Sequence, residues 1–179
     1  LSNTKQTLDL WTGRLTSGFT FDGSTVEVET SVHPTRDVVI VRVKSTLLTD
    51  GRLGVDLRFP GVGAKLNPDP ADWANPDKHK TVLVTAGRRG FTLTREIDAT
   101  RYHVRVAADR ELESVSAPHE FRMTAPRSNE LHLLVEFSPQ SPGESLPSPE
   151  AARAAAAKGW QDYWSRGGVV DFSGSTDPR

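Results

Sequence analysis

The feature that most constrains this fold is a series of short alternating segments separated by turn residues. The clearest is "RLTSGFTFDGSTVEVETSV", in which Val26 and Val28 share one face of an extended chain and the acidic residues beside them share the other. Asp22-Gly23 lies between its two halves and is a dipeptide typical of type I′ hairpin turns. The stretch therefore predicts two antiparallel strands joined by a tight turn.

Comparable segments continue to Ser138 and predict a mainly β fold. They are "RLGVDLRF", "TVLVTA", "FTLTREI", "YHVRVAA", "ELESVS", "HEFRMTA" and "LHLLVEF", separated by Gly, Pro, Asp and Asn clusters. Parallel strands need long, usually helical crossovers, and no segment up to Ser138 has a helical pattern. We therefore expect an antiparallel β-sandwich in which two sheets pack face to face.

Two further segments predict how the sheets are covered. The run "DVVIVRVKSTLL" is continuously apolar from Val38 to Val41, which is typical of a strand buried on both faces. Trp11, in the first strand-like segment, is predicted to belong to the core.

The composition changes after Phe137 and predicts a connector. "SPQSPGESLPSP" is a Pro/Ser-rich linker, and a helix is predicted to begin near Pro149, with Ser148 as its N-cap and Glu150 in its first turn. We accordingly divide the chain into a sandwich domain, residues 1–138, and a linker and helix region, residues 139–179. That second region is expected to end at the start of a further domain.

The helix carries an aromatic face that predicts a domain interface. Trp160, Tyr163 and Trp164 are spaced three and four residues apart, so they lie on one side of the helix. Asp171, in the apolar stretch that follows, is a further candidate for the interface. Such rings need a surface to pack against, and we expect it to come from another domain.

Bulk composition excludes several functions. The 179 residues carry a formal net charge of -1, which argues against a nucleic-acid or polybasic membrane surface. The chain has no cysteine, so thiol chemistry is excluded, and it has no apolar run near the roughly 20 residues that span a membrane. The five histidines lack metal-ligand spacing and are interpreted as packing or surface residues. No metal or other cofactor is predicted.

Three stretches resemble the front part of a group of two-domain glycosidases. They are "TGRLTSGFTFDGSTVEVETSVHPTRDVVIVRVKS", "DWANPDKHK" and "WQDYWSRGGVVDFSGSTDPR". The chain is similar to the N-terminal sandwich and linker helix of enzymes whose catalytic unit is a six-hairpin α/α barrel, such as the maltose- and kojibiose-phosphorylase-like and fucosidase-like enzymes. The resemblance implies a supersandwich of the galactose-mutarotase-like type.

The same resemblance implies that this chain is not catalytic by itself. In these enzymes the acid and base carboxylates lie on barrel loops, which here would follow Arg179, so no catalytic residue is assigned. The implied function is to support a downstream glycoside hydrolase or phosphorylase domain that acts on a carbohydrate substrate. An extracellular or periplasmic location is favoured, although the sequence does not determine it.

The long connection from Gly61 to Lys80 holds the candidate substrate-binding residues. They are Asp72, Trp73, Asp77 and His79. Sugars bind by stacking on aromatic rings and by hydrogen bonding to carboxylates, and loops of this length are often functional. The alternative is that Trp73 fastens the loop to the sheet while the acidic residues remain solvated.

Two other functions stay open at this stage. One is a free-standing carbohydrate-binding module, and the other is a structural sandwich without a sugar ligand. A free-standing module has no need of the aromatic helix face, whereas a structural sandwich is favoured if no pocket forms around Trp73.

Overall fold

The computed structural model describes residues 1–63, 70–167, 170 and 172–176. In chain order the described strands are β1 (Ser2–Asp9), β2 (Arg14–Phe21), β3 (Ser24–Val32), β4 (Val38–Lys44), β5 (Val55–Arg58), β6 (Gly61–Val62), β7 (Ala71–Asp72), β8 (His79–Gly87), β9 (Gly90–Ile97), β10 (Thr100–Ala108), β11 (Glu113–Ala117), β12 (Glu120–Thr124) and β13 (Glu130–Ser138). The helices are α1 (Pro149–Ser165) and two short 3-10 helices, Thr46–Leu48 and Pro76–Lys78.

Antiparallel pairing organises the strands into one large sheet and two small ones. The large sheet has eight strands in the order β1-β2-β3-β4-β13-β10-β9-β8, and the second sheet has three in the order β11-β12-β5. Strands β6 and β7 form a separate two-stranded ribbon. The predicted turn between β2 and β3 is confirmed, since Asp22 and Gly23 have φ values of 48° and 72°, as a type I′ turn requires.

The core lies between the large and the three-stranded sheets. Leu93, Val104 and Leu133 of the large sheet belong to one buried cluster with Phe121 and Met123 of β12. Phe121 also stacks on Phe91, with ring centroids 5.2 Å apart. The predicted mainly β, antiparallel sandwich is therefore confirmed, with a three-stranded second layer.

Helix α1 adds a layer on the opposite face of the large sheet. Ala152 and Ala156 are buried against Val38 and Ile40 of β4 and Leu134 of β13. The small alanine side chains let the helix backbone approach the sheet closely, and this contact covers the second face of β4. The continuous apolar run of β4 is thereby explained.

The start of α1 follows its capping signals. The Ser148 hydroxyl accepts a hydrogen bond from the Ala151 backbone N–H at 3.2 Å, and Pro149 occupies the first turn, where no N–H is needed. Among the described residues, no helix has the length and hydropathy that a membrane span requires.

Two local predictions need correction. Trp11 is 53% exposed rather than part of the core, and it lies in the turn between β1 and β2. The Gly61–Lys80 connection is not a continuous loop, since it contains β6, β7 and a 3-10 helix and its last two residues begin β8.

Candidate functional site

A polar groove of about 650 Å³ lies where β8 begins, beside the β9–β10 and β11–β12 turns. Its lining is rich in charged and hydrogen-bonding side chains: Asp77, Lys78, His79, Lys80, Thr81, Glu96, Asp98 and His119, with Pro76 and Pro118. Two of the four predicted substrate-binding residues, Asp77 and His79, therefore lie together in one concave site. The other two, Asp72 and Trp73, are not among its described lining residues.

Arg95, which the sequence analysis did not single out, lies behind this groove. It projects from β9 toward the core and is only 1% exposed. Its Nη1 donates to His79 Nδ1 at 2.7 Å and to Thr81 Oγ1 at 2.6 Å, and its Nη2 donates to the Pro60 carbonyl at 3.1 Å. Its guanidinium also lies over the Phe59 ring, 5.0 Å from the centroid. Arg95 thus ties the end of β5 to the start of β8.

His119 completes this cluster from the β11–β12 turn. Its ring lies against that of His79, with centroids 3.8 Å apart. Its Nδ1 is 2.6 Å from Thr81 Oγ1, and its Nε2 is 2.9 Å from the Pro76 carbonyl. The groove wall is therefore held by hydrogen bonds that join four separate segments of the chain.

Asp72 has a local structural role. Its carboxylate accepts hydrogen bonds from the backbone N–H groups of Ala74 and Asn75 and from the Asn75 side chain. The Asn75 side chain is the main reason that the pKa of Asp72 lies below its usual value, with the two backbone N–H groups and Lys78 adding to the effect. Asp72 therefore shapes the turn that leads to Asp77.

Trp73 packs on a neighbouring strand while remaining half exposed. The Arg58 guanidinium of β5 lies over its ring at 5.0 Å from the centroid, a cation–π contact. The Trp73 side chain is 51% exposed, so its ring contacts Arg58 and is also accessible to solvent. Both interpretations made from the sequence, a packing contact and a surface for ligand, remain compatible with this position.

The predicted aromatic face of α1 forms as one cluster. The ring centroids of Trp160, Tyr163 and Trp164 lie within 5.8 Å of one another. Together with Val32, His33 and Pro34 they line a groove of about 660 Å³. Tyr163 is 51% exposed and Trp160 is 39% exposed, so the cluster is covered only in part. Asp171 lies outside the described residues.

The β1–β2 turn supports this aromatic face from one side. The Trp164 indole N–H donates to the Leu10 carbonyl. Gly13 lies so close to Trp160 that a Cβ atom at this position would be 1.9 Å from the indole nitrogen. Leu10 and Trp11 are themselves exposed, so the apolar surface extends from the helix onto this turn.

A charged network ties α1 to the outer face of the large sheet. Arg153 of the helix donates to His132 Nδ1 at 2.5 Å, and His132 Nε2 is 2.8 Å from Glu130 Oε1. The same carboxylate accepts from Arg42 Nε at 2.6 Å. These contacts, the Arg42 hydrogen bond foremost, lower the pKa of Glu130 to about 2.

Replacing Arg42 by glutamine is expected to remove this stabilisation. The pKa of Glu130 is lower in the folded chain than its ordinary value of 4.5. The ionised carboxylate therefore contributes its full stabilisation of the fold above pH 4.5, and this stabilisation is lost as the pH falls toward 2. We expect a loss of about 2 kcal/mol at pH 7, after discounting for solvent around a carboxylate that is 30% exposed. The difference between variant and wild type should vanish near pH 2, as measured by urea unfolding across the pH range.

A matched control is Arg88→Gln, which breaks the exposed ion pair between Arg88 and Glu111. This variant is expected to lose less than about 0.5 kcal/mol at pH 7. Equal losses in the two variants, or a loss in Arg42→Gln that does not change with pH, contradict the prediction.

Comparisons with known proteins give a limited result. No family model matches the chain, and no curated protein matches it. A solved structure, "Putative kojibiose phosphorylase from human microbiome", is similar over 90% of this chain, with a TM-score of 0.48 and 12% sequence identity. The matched part is 23% of that longer chain.

That structure is named as the same kind of enzyme that the three sequence stretches resemble. At a TM-score of 0.48 and 12% identity, no activity or role is carried over from it to this chain.

Proposed function

We propose that this chain is a non-catalytic N-terminal β-sandwich domain of a glycoside-active enzyme. In this proposal residues 1–138 form the sandwich, and residues 139–179 lead to a catalytic α/α-barrel domain that follows Arg179. The observation that carries the proposal is the exposed aromatic face of α1, and the glycoside-active class comes from the resemblance seen in the sequence.

The aromatic face is proposed to pack against the catalytic domain of the same polypeptide. Large aromatic side chains are normally buried to a great extent, and a contiguous exposed group of them usually marks an interaction surface. Trp160 and Tyr163 remain substantially exposed although α1 is docked on the sheet. Both residues lie in the last two turns of the helix.

The polar groove is proposed to complete the substrate cleft of the whole enzyme. Asp77 and His79 lie in it with two lysines and two further carboxylates, a set of donors and acceptors suited to the hydroxyl groups of a sugar. The reaction would be hydrolysis or phosphorolysis of a glycosidic bond on the barrel.

The test compares residues 1–179 with the full-length polypeptide on α- and β-linked disaccharides, with and without inorganic phosphate. We expect turnover by the full-length protein alone. Turnover by residues 1–179 that is abolished by changing one of its carboxylates would overturn the proposal.

The interface is tested with Tyr163→Ser, which should lower the melting temperature of the full-length protein by several degrees while changing that of residues 1–179 by about a degree or less.

The aromatic groove also fits a second candidate function, although its aromatic face argued against that function in the sequence: a free-standing carbohydrate-binding module that uses the groove as its sugar site. Its volume of about 660 Å³ falls in the range of small-molecule sites, and sugars stack on exposed rings of this kind. Calorimetric titration of residues 1–179 with oligosaccharides separates the two functions. Binding that is lost in Tyr163→Ser would favour the module, whereas no binding together with the interface effect would favour the domain.

Trp73→Ala is expected to affect substrate use more than stability. Since half of the ring surface is already exposed, the loss in stability should be below about 1 kcal/mol. If the ring contacts substrate, the KM of the full-length enzyme should rise several-fold with kcat unchanged. Phe21→Ala is the control, because Phe21 is also partly exposed but lies at the end of β2. A large drop in melting temperature with unchanged KM would identify Trp73 as a packing residue.

A further inference from the structure

The hydrogen bond between Arg95 and His79 fixes the protonation state of the histidine. A guanidinium group can only donate, so His79 Nδ1, 2.7 Å from Arg95 Nη1, has to be unprotonated. The ring is then neutral and carries its proton on Nε2. A second proton on Nδ1 would place two donors, both positively charged, within hydrogen-bond distance of each other.

His119 makes a longer contact with the same guanidinium nitrogen, since its Nδ1 is 3.2 Å from Arg95 Nη1. Its nearest partner at Nδ1 is the Thr81 hydroxyl at 2.6 Å, which can rotate and accept a hydrogen bond as readily as it donates one. Its Nε2 lies 2.9 Å from the Pro76 carbonyl. His79 is therefore the ring that Arg95 contacts most closely.

The charged groups around His79 do not relieve the conflict. Burial, followed by His119 and Arg95, lowers the pKa of His79, and only Asp72 acts in the opposite direction. The acidic groups on neighbouring segments have partners of their own, as Asp72 has Asn75, Glu96 has Arg101 and Glu120 has Arg58. The other titratable or charged groups nearby are Asp77, Lys78, Lys80 and Asp98, which line the groove, and Tyr102, which meets Arg95 at its Nε.

We propose that protonation of His79 releases the groove wall from the sheet. The 3-10 helix Pro76–Lys78 and the first residues of β8 would separate from Arg95, and the groove between β8 and the β11–β12 turn would open. This opening requires neither a ligand in the groove nor the domain proposed to follow α1.

Linkage gives the size of the expected effect. If the ring stays neutral in the closed form, the free energy that favours this form has its full value above the ordinary histidine pKa of about 6.5. It falls as the pH drops below that pKa. Between pH 7.5 and pH 5.5 the opening equilibrium should therefore shift by about tenfold toward the open form.

The experiment is amide hydrogen exchange of residues 1–179 at pH 7.5 and pH 5.5, with rates corrected for the intrinsic effect of pH. We expect protection to fall by about tenfold in peptides covering residues 76–82, with little change in peptides covering residues 26–31 of β3, which contain no histidine. A uniform change in both regions, or no change in either, overturns the proposal.

His79→Asn is the informative variant, because its amide oxygen can replace Nδ1 as an acceptor and does not titrate. Its protection in residues 76–82 should be the same at both pH values. His33→Asn, in the β3–β4 turn, is the control and should behave as the wild type does. A loss of protection that persists in His79→Asn contradicts the proposal. Nitrogen chemical shifts of the wild-type ring provide a test without substitution, since a protonated His79 Nδ1 at pH 7.5 also contradicts it.

Discussion

Arg95→Ala is expected to lower the free energy of unfolding of this chain by about 4 kcal/mol, a large effect for a single substitution. The substitution removes a buried side chain and leaves a cavity beside Phe59. It also leaves acceptors on Pro60, His79 and Thr81 without their donor. Urea unfolding of residues 1–179 at pH 7.5 measures the loss.

Two substitutions separate the causes of this loss. Arg95→Lys keeps the charge but lacks the planar fork that reaches the Pro60 carbonyl and His79 together, so we expect a loss of about 2 kcal/mol. Arg101→Ala, which breaks an exposed ion pair with Glu96 on the adjacent strand, is expected to lose less than about 0.5 kcal/mol. If Arg95→Ala is no more destabilising than Arg101→Ala, the buried cluster does not hold β5 to β8.

Arg95 also shows what the sequence pattern contained and what it did not. In "FTLTREI" the alternating positions Phe91, Leu93 and Arg95 share one face, and that face points into the core. A charged residue at an inward position is a signal of a buried polar cluster. Its partners come from residues 60, 79, 81 and 119, and nothing in the local sequence specifies that these segments meet.

Strand alternation, turn residues and capping signals predicted the fold class because each of them acts over a few residues. The type I′ turn at Asp22-Gly23 and the start of α1 at Pro149 are examples. The continuous apolar run of β4 correctly predicted that both faces are covered, but it did not identify α1 as the cover on one face. That contact joins residues more than 100 positions apart in the chain, so its identity depends on packing rather than on a local pattern.

Two of the four candidate site residues lie together in the structure, and closeness in sequence accounts for it. Asp77 and His79 are near in sequence and share the polar groove. Asp72 and Trp73 are equally near in sequence but do not line this groove. The Asp72 carboxylate accepts a hydrogen bond from the Asn75 backbone N–H, and the Trp73 ring contacts the Arg58 guanidinium. Trp11 was predicted to be buried from its residue type alone, but it lies in the turn between β1 and β2 and is exposed.

Gly13→Ala is expected to displace the aromatic face of α1 and to cost about 3 kcal/mol. Gly13 has a φ of 63°, a left-handed conformation that disfavours alanine by about 1 kcal/mol. A Cβ atom there would also overlap the Trp160 ring, at 1.9 Å from Nε1 and 2.1 Å from Cδ1. The indole is wide and lies against Tyr163 and Trp164, so it cannot move without disturbing the cluster. Urea unfolding and the tryptophan emission maximum, which should shift to longer wavelength, measure the two consequences.

Gly23→Ala separates the backbone cost from the clash. Gly23 has a similar φ of 72°, but a Cβ atom at this position would meet no atom within 4 Å. We therefore expect a loss of about 1 kcal/mol and unchanged tryptophan emission. The difference between the two variants, about 2 kcal/mol, measures how firmly Trp160 is held against the β1–β2 turn. Equal losses would mean that the ring does not rest on Gly13. In that case the aromatic cluster would lack the fixed support that the proposed interface with a following domain requires.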